Sequence, residues 1–422
     1  MPLKQESLRA WADIDLQAVI SNLQRVSRHC PAAKTLAVIK ADAYGHGMAQ
    51  VAEAINKANA QGLTEVDCLA VATLDEALSL KRQLRHMPVL LLTGYIEASQ
   101  LQSLLEHNIE FVIHSLAQLK ILLNNSARLT QASTQAKTLA NTPVQSHSPR
   151  RLWLKFDSGM HRLGLAEDDC VKACAEILAL GYFDELVLMS HLSSADDVTS
   201  AVSVAYTDNQ VKAFTRCYQK LLAQLEVSNK IQALGGEHSS STKPRPAIKL
   251  STSLCASSGI VALQECYDYV RPGIMLYGGA GSNAVDAEAL GPAMTLKARL
   301  IAIKTLKAGD AIGYGATYTC ATDMCVGVVS IGYADGYPRS ANSATEVLVH
   351  STGESARAKL LGRVSMDMIS VDLSNVPHAN VGDVVTLWGA GLPVDEVAKS
   401  AGTISYDLLC RVSAREPRIY SH

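Results

Sequence analysis

Two hydrophobic rhythms divide this sequence. From residue 12 to residue 284, short continuous apolar runs alternate with longer amphipathic stretches. The runs are Thr35–Lys40, Cys68–Thr73, Pro88–Gly94, Glu110–His114, Arg151–Phe156, Glu185–His191, Ile248–Leu254 and Tyr269–Tyr277. Runs without alternation suit strands buried on both faces of a parallel sheet. Between them His46–Asn59, Asp75–Leu84 and Thr207–Leu225 repeat apolar residues at helical spacing. Eight strand–helix repeats over 12–284 predict an α/β architecture, a closed (β/α)8 barrel of about the usual ~250 residues. An open doubly wound sheet is the alternative, but no GxGxxG follows the first strand.

Beyond residue 285 the period shortens. Ala293–Ile303, Met324–Tyr333, Glu346–His350, Ala358–Leu361, Ile369–Leu373 and Val384–Leu387 are short runs split by Gly, Asp and Ser. That spacing predicts a mainly β C-terminal domain over 285–422. Residues 1–11 are a candidate addition to it. The alternating Trp11–Leu16 also precedes the first barrel strand and is a candidate partner for this domain. Asn124–Arg150 and Gly235–Pro246, rich in Ser, Thr, Gln and Pro, read as surface insertions.

Composition narrows the class. Across 422 residues, 38 Lys and Arg face 40 Asp and Glu, a net charge of −2. No basic excess exists to displace counterions from a nucleic acid, so none is expected as partner. The start, MPLKQESLRAWADIDL, has no apolar signal region, and no run approaches the ~20 residues of a membrane span. A cytoplasmic enzyme is the expectation. None of the ten cysteines forms a CxxC pair. Cys170 and Cys174, four apart in an apolar helical pattern, read as small buried hydrophobes, and no metal site is expected. Reduced thiols are expected throughout.

Candidate chemistry begins at AVIKADAYGHG, residues 37–47. An apolar strand delivers Lys40 at its C-terminal end, the active-site face of a barrel, before a Gly-rich turn into a helix. A lysine there can act as a Schiff-base nucleophile if burial or nearby cations depress its amine. Taken alone, a strand-end lysine more often just reaches solvent.

The whole string resembles the cofactor segment of alanine racemases, pyridoxal-phosphate (PLP) enzymes of fold type III. Their lysine holds the cofactor and a tyrosine four residues on reaches its phosphate; those positions here are Lys40 and Tyr44. The resemblance runs in order over nearly the full chain. LKFDSGMHRLG (154–164) is similar to the family's LKxDTGMxRLG, which implies that Arg162 holds the substrate carboxylate, a task suited to a planar fork of donors. Lys155 matches a lysine often carbamylated in relatives, a change that would let it orient Arg162. MSHLSSAD (189–196) implies His191 against the cofactor ring. LCASSGI (254–260) implies Ser257 at the phosphate, with Ala256 where relatives carry Asn.

VRPGIMLYG (270–278) implies Arg271 facing the pyridine nitrogen, and Gly273 and Ile274 offering backbone N–H groups to the phosphate. A guanidinium does not release its proton near neutrality, so the ring stays a weaker electron sink than opposite a carboxylate. Racemisation is thereby favoured over transamination. AIGYGATYTC (311–320) resembles the segment carrying the second catalytic base, here Tyr314. A phenol is a poor base at neutral pH unless nearby positive charge helps, for which His191 and Arg271 are the candidates. By the same resemblance, Tyr333 (IGYADGY) lies near the substrate's way in, Met366 and Asp367 (GRVSMDM) help form its pocket, and Tyr406 (TISYDLL) contacts the phosphate.

The resemblance implies a homodimer in which each active site is completed by the other subunit. It implies interconversion of L- and D-alanine with Lys40 and Tyr314 as the two bases, supplying D-alanine for peptidoglycan. A PLP-carrier barrel is the non-enzyme alternative, but such proteins lack the C-terminal β domain. A broader-spectrum racemase or a decarboxylase on the same plan are further alternatives. Decarboxylation would leave the carboxylate unclamped, against Arg162.

Overall fold

The structure, a computed structural model, describes residues 7–127, 129, 150–235, 248–263, 265–281 and 290–421, with side chains at 229–235 excepted. Most of the segments 124–150 and 235–246 therefore lies outside the described residues.

Eight parallel strands form the first body: β2 (Lys34–Val38), β3 (Val66–Val71), β4 (Val89–Leu91), β5 (Glu110–Ile113), β6 (Arg151–Lys155), β7 (Glu185–Met189), β8 (Lys249–Ser253) and β9 (Tyr269–Val270). From β2 to β8 they pair in chain order, and β9 pairs with β2. The Arg271 N–H donates to the Cys255 carbonyl (2.9 Å) and a bridge joins Ala256 to Arg271, so the sheet closes into a barrel. Helices fill the intervals. The one at Leu74–Gln83 starts on a capping box, Thr73 with Glu76. That at Leu16–His29 starts on Asp15, whose carboxylate accepts from the Ala18 N–H (2.9 Å).

The N-terminal end of the barrel is filled by paired charge. Arg151 meets Glu110 at 2.6 Å and Lys249 meets Glu185 at 3.5 Å, with the Tyr269 hydroxyl also donating to Glu185 at 3.1 Å. Burial raises the Glu110 carboxyl while Arg151 pulls it back down.

The last predicted barrel strand, Tyr269–Tyr277, is shorter than expected. It stops at Val270, and Ile274–Tyr277 is a 3₁₀ turn. Pro272 supplies no N–H to a ladder, although its carbonyl still accepts from Val38 (3.0 Å).

The second body is antiparallel. A ring runs β10 (Met294–Leu306), β13 (Met324–Val329), β16 (Ile369–Asp372), β15 (Glu354–Leu361), β14 (Glu346–Ser351) and β17 (Val384–Trp388), then returns to β10. The long β10 closes it by pairing β17 and β13 along different stretches. Strand β1 (Ala10–Asp15) and the terminal β18 (Arg418–Ser421) extend the sheet beyond β10. Thus residues 12–15, on the barrel side of the sequence-based boundary, belong to a strand of this second sheet. A small hairpin, β11 (Ala311–Ile312) with β12 (Tyr318–Thr319), projects from it.

Cys170 and Cys174 are fully buried, as small core residues are. The expectation of reduced thiols throughout is corrected by a disulfide between Cys30 and Cys266. The two lie 236 residues apart, just before β2 and β9, and barrel closure is what brings them together. No described helix is long and apolar enough to cross a membrane.

Candidate active site

Five cationic or basic side chains converge at the C-terminal mouth of the barrel. Lys40 follows β2, Lys155 ends β6, Arg162 sits on the loop beyond it, His191 follows β7 and Arg271 follows β9. Their mutual influence shows in their titration. Burial, then Arg162, lowers the Lys40 amine. Lys155 is lowered to about 8 by burial, then Arg271, Arg162 and Lys40, which outweigh Asp157. His191 falls to about 3 through burial and then the same four cations. His191 is therefore neutral near pH 7 and cannot be the positive neighbour expected to aid Tyr314. Of the two candidates only Arg271 keeps its charge: burial lowers it only to about 10.

Arg271 is held entirely by uncharged oxygens. It donates to Ser253 Oγ (2.5 Å) and to the carbonyls of Ser190 (2.6 Å) and Leu254 (3.2 Å). Among the described residues no carboxylate is bonded to it. Ser253 and Ser190 were not picked out in the sequence, although the strand-end hydroxyls of IKLSTSL were the available signal. Ser190 is fixed in turn, donating to the Phe156 carbonyl (2.8 Å), and Gln210 donates to the His191 carbonyl (3.1 Å). Asp157 ties the Arg162 loop by accepting the N–H groups of Gly159 and His161, both at 3.0 Å.

The turn after Lys40 is left-handed. Ala41, Asp42, Ala43 and Tyr44 all have φ of 52–54°. Each such residue costs about 1–2 kcal/mol, so neighbours must hold the turn in place. Glu76 accepts the Ala41 N–H (2.7 Å) and the Asp42 carboxylate accepts the Met48 N–H (2.7 Å). The Leu409 carbonyl lies so close to Gly45 that any Cβ there would sit 2.4 Å from it. Glu76 too was missed as a site residue; its sequence signal was only the capping box.

This turn folds Tyr44 back into a hydroxyl-lined corner. Its ring lies 4.9 Å from that of Tyr277 and 6.0 Å from that of Tyr406. A Cβ on Gly273 would come 2.6 Å from the Tyr44 hydroxyl, and one on Gly281 would come 3.2 Å from the Tyr406 hydroxyl. Ser257 Oγ accepts the N–H groups of Gly273 (2.9 Å) and Met275 (3.4 Å), which leaves its own O–H to donate. Ile274, fully buried, opens the 3₁₀ turn beside them. The corner thus gathers Tyr44, Ser257, Gly273, Ile274 and Tyr406.

The remaining expected residues lie elsewhere. Tyr314, on the turn of the β11–β12 hairpin, is 70% exposed. Tyr333 and Met366 are also exposed on the C-terminal domain, and Asp367 is half-buried there. No group acting on Lys40 comes from the hairpin: its neighbours are Arg162, Cys410 and Glu76.

A lysine among converging cations at a barrel mouth, beside a glycine-and-hydroxyl corner, has the chemistry of a site for an anionic group in a barrel enzyme. The comparisons agree. The family "Alanine racemase, N-terminal domain" matches residues 14–281, and "Alanine racemase, C-terminal domain" matches 293–420. "Alanine racemase, catabolic" of Pseudomonas putida is 40% identical over 97% of this chain and 98% of its own. The crystal structure of "biosynthetic alanine racemase from Pseudomonas aeruginosa" superposes with a TM-score of 0.79 at 35% identity, covering 98% of this chain and 99% of that one. The structure of "alanine racemase from Bartonella henselae with covalently bound pyridoxal phosphate" covers 98% of this chain and 100% of its own, with a TM-score of 0.76 at 25% identity. The chain belongs to the alanine racemase family, a family of pyridoxal-phosphate-dependent isomerases. Its residues fit that cofactor: the corner has the small residues and donors a phosphate needs, and the mouth has the lysine and the converging cations.

Proposed function

We propose that this protein interconverts L- and D-alanine with PLP as cofactor, using two bases on opposite faces of the α-carbon. The observation that carries the reading is the cationic mouth around Lys40. Its lysine is made more nucleophilic by burial and Arg162. Bound PLP supplies an electron-withdrawing ring that acidifies the α C–H bond.

Tyr44, Ser257, Ile274 and Tyr406 would hold the phosphate and Lys40 the carbonyl carbon; Gly273, whose N–H is spent on Ser257, would contribute room rather than the donor expected of it. Arg271 would face the pyridine nitrogen. Since it does not give up its proton at neutral pH, the nitrogen stays unprotonated and the ring a restrained sink, which disfavours transamination. His191 would lie against the ring as a neutral imidazole. Arg162 would clamp the substrate carboxylate by its fork of donors.

Lys40 serves one face of the α-carbon, taking or returning its proton at Nζ. Tyr314 of the partner subunit serves the other. Its exposure in a single chain supports this assignment, because a base meant for its own barrel would be expected in that barrel's mouth. Tyr333, Met366 and Asp367 share the exposed side and would border the partner's substrate path. The functional unit is then a homodimer that shares its sites.

Lys155 is poised for carbamylation. With its amine near 8, part of it is unprotonated at neutral pH and can attack CO₂, giving a carbamate and one released proton. The anion would balance Arg271 and orient Arg162. Intact-mass analysis of fresh protein tests for the added carboxyl.

The physiological assignment is D-alanine supply for peptidoglycan in the cytoplasm. A role in alanine catabolism is the second reading, favoured by the relative named catabolic. The test of the activity is deuterium exchange. In deuterated water the holoenzyme should label the α-carbon of both alanine enantiomers and leave larger amino acids slower. Label in neither enantiomer would end the proposal; equal labelling across a panel would shift it to a broad-spectrum racemase.

A further inference from the structure

Two buried carboxyls of the C-terminal domain play no part in the chemistry above. Asp335 is 0% exposed and Glu416 1%. Both are drawn to one nitrogen of Arg9, and two buried like-charged carboxyls on a single guanidinium nitrogen favour a proton on one of them. Arg9 grips both: its guanidinium meets Asp335 Oδ1 at 2.5 Å and Glu416 Oε1 at 2.7 Å. Arg415 joins Asp335 (3.2 Å) to Asp367 (2.9 Å). Arg418 is directed instead to the carbonyls of Gly45, Val412, Ser413 and Glu416.

The pair sits directly behind the exposed face. Asp335 closes the short turn Tyr333–Asp335, and its carboxylate accepts the Gly332 N–H (2.9 Å). That turn is pinned to the neighbouring loop, with the Tyr333 N–H donating to the Ser365 carbonyl (3.1 Å) and that of Ala334 to Met366 (3.0 Å). A Cβ on Gly332 would lie 2.3 Å from the Ser365 carbonyl, so the two backbones touch.

We propose that Asp335 and Glu416 form a proton-sharing positioning pair that holds the wall made by Tyr333, Met366 and Asp367. The inference rests on the reading that this wall borders the partner's substrate path. With the shared proton in place, Asp335 and Asp367 face two guanidiniums, Arg9 and Arg415, and charge balances. Without it, three carboxylates face the same two guanidiniums, and the two buried ones, Asp335 and Glu416, repel each other. Burial, with Asp335 adding to it, pushes the Glu416 carboxyl up to about 7, while Arg9 and the Gly332 N–H help keep Asp335 below its usual range. The proton therefore leaves within the neutral range, and the wall loosens as pH rises through it.

The sign follows for stability. A carboxyl raised in the folded state stabilises it below the ordinary carboxyl range, and that stability is lost as pH rises through about 7. The experiment compares wild-type holoenzyme with E416Q, which stays neutral and can still donate to Asp335. Between pH 6 and 8 the wild-type KM for alanine should rise a few-fold and its Tm should fall, while E416Q keeps a flatter profile of both. kcat, set by Lys40 and Tyr314, should change little between the two proteins. Coincident profiles would overturn the inference, as would a flattened Tm profile with no change in KM, which marks a purely structural pair. Y333A and M366A separate the two layers. If they raise KM while E416Q leaves it untouched, only the positioning role fails; if they leave KM unchanged, the substrate-path reading fails as well.

Discussion

The two ends of the barrel carry similar residues in opposite electrostatic states. At the closed end Arg151 meets Glu110 and Lys249 meets Glu185, so charge is matched locally. At the mouth Lys40, Lys155, Arg162 and Arg271 face one another, and their repulsion and burial depress Lys155 and His191. Matched charge stabilises a fold, whereas unmatched like charge costs stability unless a ligand supplies the counterion. The closed end is finished within the chain. In the proposed reading the mouth would gain its balance from an anionic cofactor and a carboxylate substrate, and its second base from another chain.

The sharpest way to break this contrast is to divide the site between two subunits. Lys40→Ala should abolish racemisation and the yellow colour of the holoenzyme. Tyr314→Phe should keep the colour and lower kcat by roughly 10²–10⁴-fold, the usual worth of a general base. Mixing and reannealing the two inactive homodimers creates heterodimers with one intact site. If Tyr314 serves the partner, about a quarter of wild-type activity returns at statistical exchange. If heterodimers form and no activity returns, Tyr314 and Lys40 act within one chain and the mouth is complete by itself.

A smaller effect is expected at the phosphate corner. Gly273→Ala places a methyl 2.6 Å from the Tyr44 hydroxyl, which the left-handed turn holds from behind. Overpacking of this kind costs about 1–3 kcal/mol, so PLP affinity should fall about tenfold or more. Spectroscopic titration of apoenzyme with PLP measures it. An unchanged affinity would place the phosphate away from Gly273.

Much of this was legible in the sequence because it rests on period and local order. Continuous apolar runs placed the barrel strands, and each motif lies at a strand's C-terminal end, so Lys40, His191 and Arg271 met once the ring closed. Non-local features were less legible. The strand Tyr269–Tyr277 was overextended because apolar content cannot distinguish a strand from a buried 3₁₀ turn, although Pro272 was a warning. The neutrality of His191 depends on burial and then on four cations from separate segments. Ser253 and Glu76 serve the site through long-range hydrogen bonds, and the hairpin carrying Tyr314 is too short to show a period.

The smallest expected effect on turnover lies at the closed end, and it sharpens the contrast from the other side. The Cys30–Cys266 disulfide joins the segments leading into β2 and β9, whose far ends carry Lys40 and Arg271. Cross-linking residues 236 apart limits the unfolded chain far more than it shapes the native site. The double variant Cys30→Ser/Cys266→Ser should therefore lose roughly 2–5 kcal/mol of stability, read as a lower Tm at equal cofactor loading. Its kcat, alanine KM and absorption spectrum should match the parent's, because the hydrogen bonds fixing Arg271 come from Ser253, Ser190 and Leu254 at the other end. A changed spectrum or KM would mean that strain passes along β2 and β9 into the mouth. The barrel would then be one coupled unit rather than a stable base under an independently organised site.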